Sequence, residues 1–270
     1  MNEIFADILE KVRKERPLIH NITNYVVMNF TANALLAMGS SPVMAHALQE
    51  VEEMVSASRA LVANIGTLSG PWVESMIVAA RRANEKGIPV VLDPVGAGAT
   101  RFRTETAQRI LSETRVDVVR GNASEIMALQ GMGVQARGVD SFHTMEEARK
   151  VAVDLALRFS CIIAVTGEKD FVTDGSGGAI IANGDPLMSR VTGTGCAASA
   201  IAGAFCAVEE NRLMATAGSL VFFGLAGEMA AKDNPGPGTF QTRLLDALSS
   251  VARDEIMAHG KCEVEEPVKG

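Results

Sequence analysis

Apolar runs and helical stripes alternate along this chain. Residues 60–65 (Ala-Leu-Val-Ala-Asn-Ile) are a short, mostly apolar run that stops at Gly66, the pattern of a strand buried on both faces. Residues 72–86 then switch to helical spacing, and Gly87 supplies the stop. The alternation repeats. It predicts a strand over 89–92 and a helix over 104–114 with Thr104 as its cap. A strand over 117–119 and a short helix over 123–129 follow. A helix over 144–159 comes next, with Glu146 and Glu147 in its first turn, where the helix dipole favours acids, and then a strand over 161–165. Residues 171–173 and 179–182 flank Asp174-Gly-Ser-Gly-Gly178 and predict a hairpin. Three helices close the chain, near 195–209, 213–232 and 239–259. Strand–helix alternation of this kind marks βαβ units and a mostly parallel central sheet with helices on both faces. No repeat, low-complexity block or linker interrupts it. The expectation is therefore one α/β domain over residues 1–270, with a loose charged tail from 263 to 270.

Composition narrows the picture. Aromatic residues are only 4% of the 270, so the core is built from Ala, Val, Ile, Leu and Met. The net charge of −7 argues against a nucleic-acid footprint, which needs clustered Lys and Arg. The four cysteines form no CxxC pair, so a zinc site is not expected. Cys161 and Cys206 sit in apolar runs as buried thiols, which fits a reducing, cytoplasmic setting. Residues 1–17 are charged and lack the apolar centre of a signal peptide. The apolar stretch 213–231 has the length of a membrane span but carries Glu228 and lies among other apolar helices. It reads as a buried core helix, with no membrane association.

Three segments carry candidate chemistry. Val191-Thr-Gly-Thr-Gly-Cys196 places two glycines at the head of a small-residue helix. Glycine lets a ligand approach the backbone, and the free N–H groups of a helix start bind anions. Thr194 and Gly195 are the expected ATP contacts there, although the same pattern also fits a plain loop-to-helix joint. The turn is not a P-loop, since no Lys-Ser or Lys-Thr follows it, and it comes too late for a Rossmann fingerprint. Asp93 ends a strand in Leu92-Asp-Pro-Val-Gly-Ala-Gly98, and Glu125 follows the next in Arg120-Gly-Asn-Ala-Ser-Glu125. Ligands of open parallel sheets bind beyond strand carboxyl ends, and paired carboxylates there suit Mg2+. Either acid alone fits a helix cap equally well. Thr166 stands at a third strand end, in Val165-Thr-Gly-Glu168, where its hydroxyl can donate to a phosphate.

Together these segments resemble the ribokinase-like superfamily. The stretch from Pro17 to Met44, including Asn21-Ile-Thr-Asn24, resembles the substrate segment of the hydroxyethylthiazole kinases, as do Asn64-Ile-Gly-Thr-Leu68 and Gly236-Pro-Gly-Thr-Phe240. The resemblance runs from about Pro17 to His259. It implies transfer of the ATP γ-phosphate to the hydroxyl of 4-methyl-5-(2-hydroxyethyl)thiazole, a thiamine precursor. It also implies Met44 and Gly193 as substrate contacts, Arg120 and Thr166 as ATP-phosphate contacts, and Asp93 and Glu125 as Mg2+ acids. A homotrimer with sites at subunit interfaces is implied too. Cys196 stands where the wider superfamily usually has Asp; it is the candidate general base, its thiol lowered by the helix start. Asn24 is read as an amide beside the substrate. Without the resemblance, Met44 reads as core, and the four histidines share no ligand spacing. A hydroxymethylpyrimidine or pyridoxal kinase, an ATP-dependent dehydratase on the same fold, and a non-catalytic nucleotide-binding regulator remain open. An assay for the phosphorylated alcohol separates them.

Overall fold

The computed structural model describes residues 1–131 and 145–265. Its strands are β1 (Leu18–Ile22), β2 (Ser41–Val43), β3 (Ala60–Asn64), β4 (Val90–Asp93), β5 (Val118–Asn122), β6 (Ile162–Thr166), β7 (Asp170–Thr173), β8 (Gly178–Ile181) and β9 (Cys262–Glu265). They form one sheet in the order β2-β1-β3-β4-β5-β6-β7-β8-β9. Pairing is parallel from β2 through β6 and antiparallel from β6 to β9. The helices are α1 (Asn2–Glu15), α2 (Met28–Met38), α3 (Val51–Ser56), α4 (Gly70–Lys86), α5 (Arg101–Glu113), α6 (Ala123–Leu129), α7 (Met145–Phe159), α8 (Thr194–Cys206), α9 (Arg212–Ala230), α10 (Pro237–Ser250) and α11 (Arg253–His259).

Strand side chains alternate between two cores. Ala60 and Val62 of β3 join the core formed with α1, α2 and α8 to α11; Leu61 and Ala63 join the one formed with α3 to α7. The expected layout, helices on both faces of a mostly parallel sheet, is what the chain forms. Phe5, Phe205, Phe222 and Phe240 are fully buried on the first face. Each contributes on the order of 1.5–3 kcal/mol by leaving water. Among the described residues α9 is long and apolar enough to cross a membrane, and 78% of its apolar window is buried in this core. Gly218 lets it approach Phe5 of α1 closely.

Three local expectations change. Helix α5 starts at Arg101, and its cap is Thr100, whose side chain accepts from the Arg103 N–H; Thr104 Oγ1 instead accepts from Gly98 N–H at 2.8 Å. The expected helix over 239–259 is two helices, because Ala252 turns extended and its N–H is taken by Glu255 Oε2 at 2.9 Å. Residues 262–265 are no tail: they pair with β8 as its outer neighbour, and Arg149 bonds Glu265. Residues 266–270 and Thr144, the expected first residue of α7, lie outside the described residues. Charge dominates residues 1–17, yet Phe5, Ile8, Leu9 and Val12 make an apolar stripe that buries α1 against α9 and α11.

The parallel strands run 2-1-3-4-5-6, so the direction of winding reverses between β1 and β3. Such a reversal opens a crevice at the carboxyl ends of the strands.

Candidate active site

Six parallel strands deliver the candidate residues to one rim. Asn24 follows β1, Met44 follows β2, Asp93 ends β4, Arg120 lies in β5 and Thr166 ends β6. Register places Asn64 beside Asp93 and Asn122 beside Thr166. Helix α8 points its start at this rim. Gly193 holds φ +90°, a left-handed conformation that β-carbons disfavour, and a Cβ there would lie 2.9 Å from Val27. A Cβ on Gly195 would lie 2.7 Å from Arg120 Nη1. These two glycines thus let α8 start against α2 on one side and the Arg120 guanidinium on the other. The first helical bond is donated by Ala197 N–H to Gly193 O at 2.8 Å. The N–H groups of Thr194, Gly195 and Cys196 precede it and form the positive end of the helix.

Arg120 Nη2 donates to Thr166 Oγ1 at 2.6 Å, and Thr166 Oγ1 donates in turn to Gly121 O at 3.3 Å. The guanidinium Nε is buried with no hydrogen-bond partner. The two residues expected at the phosphates therefore touch each other beside the helix start. Asp170, absent from the sequence reading, faces the same cation. Burial pushes its carboxyl up to about 6, against the Gly167 N–H bond and the Arg120 charge. Thr194 has its hydroxyl engaged within the turn. Its hydroxyl donates to Met188 O at 2.9 Å and Val191 O at 3.2 Å, so only its N–H faces the rim.

Asp93 is fully buried. Its Oδ2 accepts from Asn64 Nδ2 and from Ser199 Oγ, both at 2.8 Å, and its Oδ1 has no partner. Burial pushes the carboxyl up to about 6; Arg120 opposes this, Glu125 adds to it, and the two hydrogen bonds oppose it. Glu125 is the third residue of α6 and closes its capping box with Asn122. Its Oε2 accepts from Asn122 N–H and its Oε1 from Gly96 N–H, both at 2.8 Å. The capping reading of this acid is thus realised, and it ties the β4–α5 loop to α6.

Cys196 is half-buried in the first turn of α8. Asn24 Nδ2 lies 3.5 Å from its Sγ. The expectation of a lowered thiol reverses. Burial pushes it up to about 11, Asp93 adds to this, and Asn64, Asn24 and Arg120 only partly offset both. Desolvation is the largest cause. Met44 is half-buried just past β2, and the next carbonyl, Ala45 O, lies 2.6 Å from His20 Nε2.

The donor set bears on a cation. Among the described residues no three His, Cys, Asp or Glu side chains group into a cage. One bare carboxylate oxygen, Asp93 Oδ1, and one bare guanidinium nitrogen, Arg120 Nε, are buried at the same rim. The carboxylate oxygen suits Mg2+, which keeps several waters and is shared with phosphates, and not a fully protein-ligated ion; the guanidinium N–H, a donor, suits the phosphate instead.

A model of the hydroxyethylthiazole kinase family matches residues 9–254. A hydroxyethylthiazole kinase of Desulfotalea psychrophila is 53% identical over 93% of this chain and 92% of its own. That of Oleidesulfovibrio alaskensis is 49% identical over 93% and 95%. The structure of the hydroxyethylthiazole kinase from Pyrococcus horikoshii OT3 superposes with a TM-score of 0.90 at 48% identity, covering 97% of this chain and 99% of that one. A pyridoxal kinase from Staphylococcus aureus shares the fold at a TM-score of 0.67 and 16% identity. On the match across residues 9–254 and identity near one half, this chain belongs to the hydroxyethylthiazole kinase family.

Proposed function

We propose that this chain transfers the γ-phosphoryl group of ATP to the primary hydroxyl of 4-methyl-5-(2-hydroxyethyl)thiazole, with Mg2+, in thiamine biosynthesis or salvage. The observation that carries it is one convergence. The three leading N–H groups of α8, Arg120 and Asp93 meet beside Cys196 and Asn24. The helix start and Arg120 hold the charge of the transferring group, aided by the N–H groups of Thr194 and Gly195 and the Thr166 hydroxyl. Asp93, through its unpartnered Oδ1, and Glu125 would hold Mg2+. When bound, the cation neutralises phosphate charge. Met44 and Gly193 border the thiazole ring, and Asn24 faces its hydroxyl.

Cys196 receives the hydroxyl proton. Phosphoryl transfer goes through a loose transition state, so the hydroxyl keeps most of its proton until late. Only the Cys196 thiolate can take that proton, a small fraction with a pKa of about 11, and a transfer this late needs it only once the alcohol oxygen has bonded to phosphorus. We place the active assembly as a homotrimer with sites between subunits. Tyr25, Val26 and Leu48 support it: they expose apolar surface at the rim, with the Tyr25 ring 4.7 Å from that of Trp72. Free, buried Cys161 and Cys206 support a reducing, cytoplasmic setting.

The test is a coupled assay with the thiazole alcohol, hydroxymethylpyrimidine and pyridoxal as acceptors. Product from the thiazole alcohol, at a kcat/KM well above the other two, is expected. ATP binding without any phosphorylated alcohol, or preference for another acceptor, overturns the reading.

A further inference from the structure

Asn64 opens the Asn-Ile-Gly-Thr-Leu segment, to which the reading above attaches no chemical role. In the fold it sits at the winding reversal, where β3 adjoins both β1 and β4. Its Oδ1 accepts from Asn24 Nδ2 at 2.8 Å and from Gly66 N–H at 3.0 Å. Its Nδ2 donates to Asp93 Oδ2 at 2.8 Å. Asn24 Nδ2 in turn reaches Cys196 Sγ. One carboxamide therefore joins the acceptor side of the site, Asn24 and Cys196, to its phosphate side, Asp93.

The orientation of that amide has a single solution. Turned over, its NH2 would face two other N–H donors and its oxygen would face a carboxylate. The hub cannot relax outward either. A Cβ on Gly66 would lie 2.5 Å from Asn24 Nδ2, so backbone backs the Asn24 amide directly. Arg103 donates to Ile65 O at 3.3 Å, Val95 O at 2.7 Å and also Gly66 O, tying the loops after β3 and β4 together. Ser199, one turn beyond Cys196 on α8, donates to the same Asp93 oxygen. Asn64 itself is 2% exposed.

We infer that Asn64 is a positioning residue. It fixes the register between the acceptor-facing pair Asn24 and Cys196 and the acid Asp93, so that hydroxyl and phosphoryl group meet in line. This rests on the kinase reading above. Misplacement of reacting groups by about 1 Å costs ~10²-fold in rate.

The experiment compares Asn64→Leu, which removes both hydrogen-bonding functions at similar volume, with Asn64→Asp, which keeps an acceptor for Asn24 and loses the donor to Asp93. Each folded variant should lose ~10²-fold in kcat. The KM for the thiazole alcohol, and its Kd by calorimetry, should stay within about threefold of the parent, because binding does not depend on the register. Asn24→Leu combined with Asn64→Leu should be about as slow as the slower single variant, since both act through one chain of contacts. A kcat within threefold of the parent in either folded variant overturns the inference. So do single losses that multiply in the double variant, or a loss confined to KM and Kd. If Asn64→Leu does not fold, Asn64→Asp decides by the same limits. A parent protein that phosphorylates no alcohol overturns the kinase reading, and this inference with it. An active parent with an active Asn64→Leu overturns this inference alone.

Discussion

Asp93 is a carboxylate kept where carboxylates are costly. Its pKa is about 6 in the fold against an ordinary 3.8. Between those values the folded chain holds a proton that the unfolded chain has lost, so stability falls as pH rises through this window and levels off above it. The upper bound for a shift of that size is about 3 kcal/mol. In metal-free buffer, Asp93→Asn should therefore be roughly 1–3 kcal/mol more stable than the parent at pH 7.5, with the gain gone near pH 4. Asp170 titrates in the same range and cancels in the difference. Denaturant melts at several pH values check this, and a difference independent of pH would sink it. The same variant should have lost its kinase activity. Cys196 gives a second prediction. General-base help is typically worth ~10²–10⁴, so Cys196→Ala should lower kcat at least ~10²-fold with the thiazole KM little changed. Cys196→Asp should stay active, the wider superfamily having a carboxylate there. An Ala variant within threefold leaves Cys196 as packing. Strand-end acids and the glycine turn were legible in the sequence because each lies in a short local pattern. Asn64, Ser199 and Asp170 were not. Their partners are 29 to 106 residues away or across a hairpin, and only sheet register and the docking of α8 bring them together.

Helix α8 shows how one element serves both packing and chemistry. Its body is buried against β1, β3 and β4 by small residues, and Gly203 meets Val62 side chain to backbone. Its first turn lies against Arg120 and α2, and Ser199, one turn on, bonds Asp93. Gly195→Ala would drive a methyl group into the Arg120 guanidinium. The expected result is an ATP KM raised more than ~10-fold, with melting temperature within a few degrees, since the helix itself gains from Ala. An unchanged ATP KM would separate Arg120 from the phosphates. Elements were legible to the degree that their signals were local. The helix over 123–129 forms with the expected bounds, and the structure shows Asn122 as its cap, whereas Leu244, Leu248, Val251 and Ile256 continue an apolar pattern across the break between α10 and α11. Strand β9 carries Glu263 and Glu265 about a single Val264, too polar to announce a strand; pairing with β8 makes it one.

At the scale of the molecule, Tyr25, Val26 and Leu48 leave apolar surface exposed beside the site, and the proposed trimer would cover it. Light scattering at assay concentration should give three times the 28.5 kDa chain mass, with activity falling on dilution as subunits separate. A fully active monomer would sink the shared-site arrangement. The sheet and its two helical layers were legible because alternation dictates them; how the two ends of the chain meet was not. Helix α1 docks on α9 and α11. Asn2 Nδ2 donates to Gly260 O at 3.0 Å, and Arg253 bonds Asp7 across 246 residues. A ribosome adding roughly 5–20 residues each second needs about 10–50 s to cover that span. For most of that interval, until α9 has been made, Phe5, Ile8, Leu9 and Val12 lack the helix they lie against. Helix α1, made before every other element described, is thus among the last to settle.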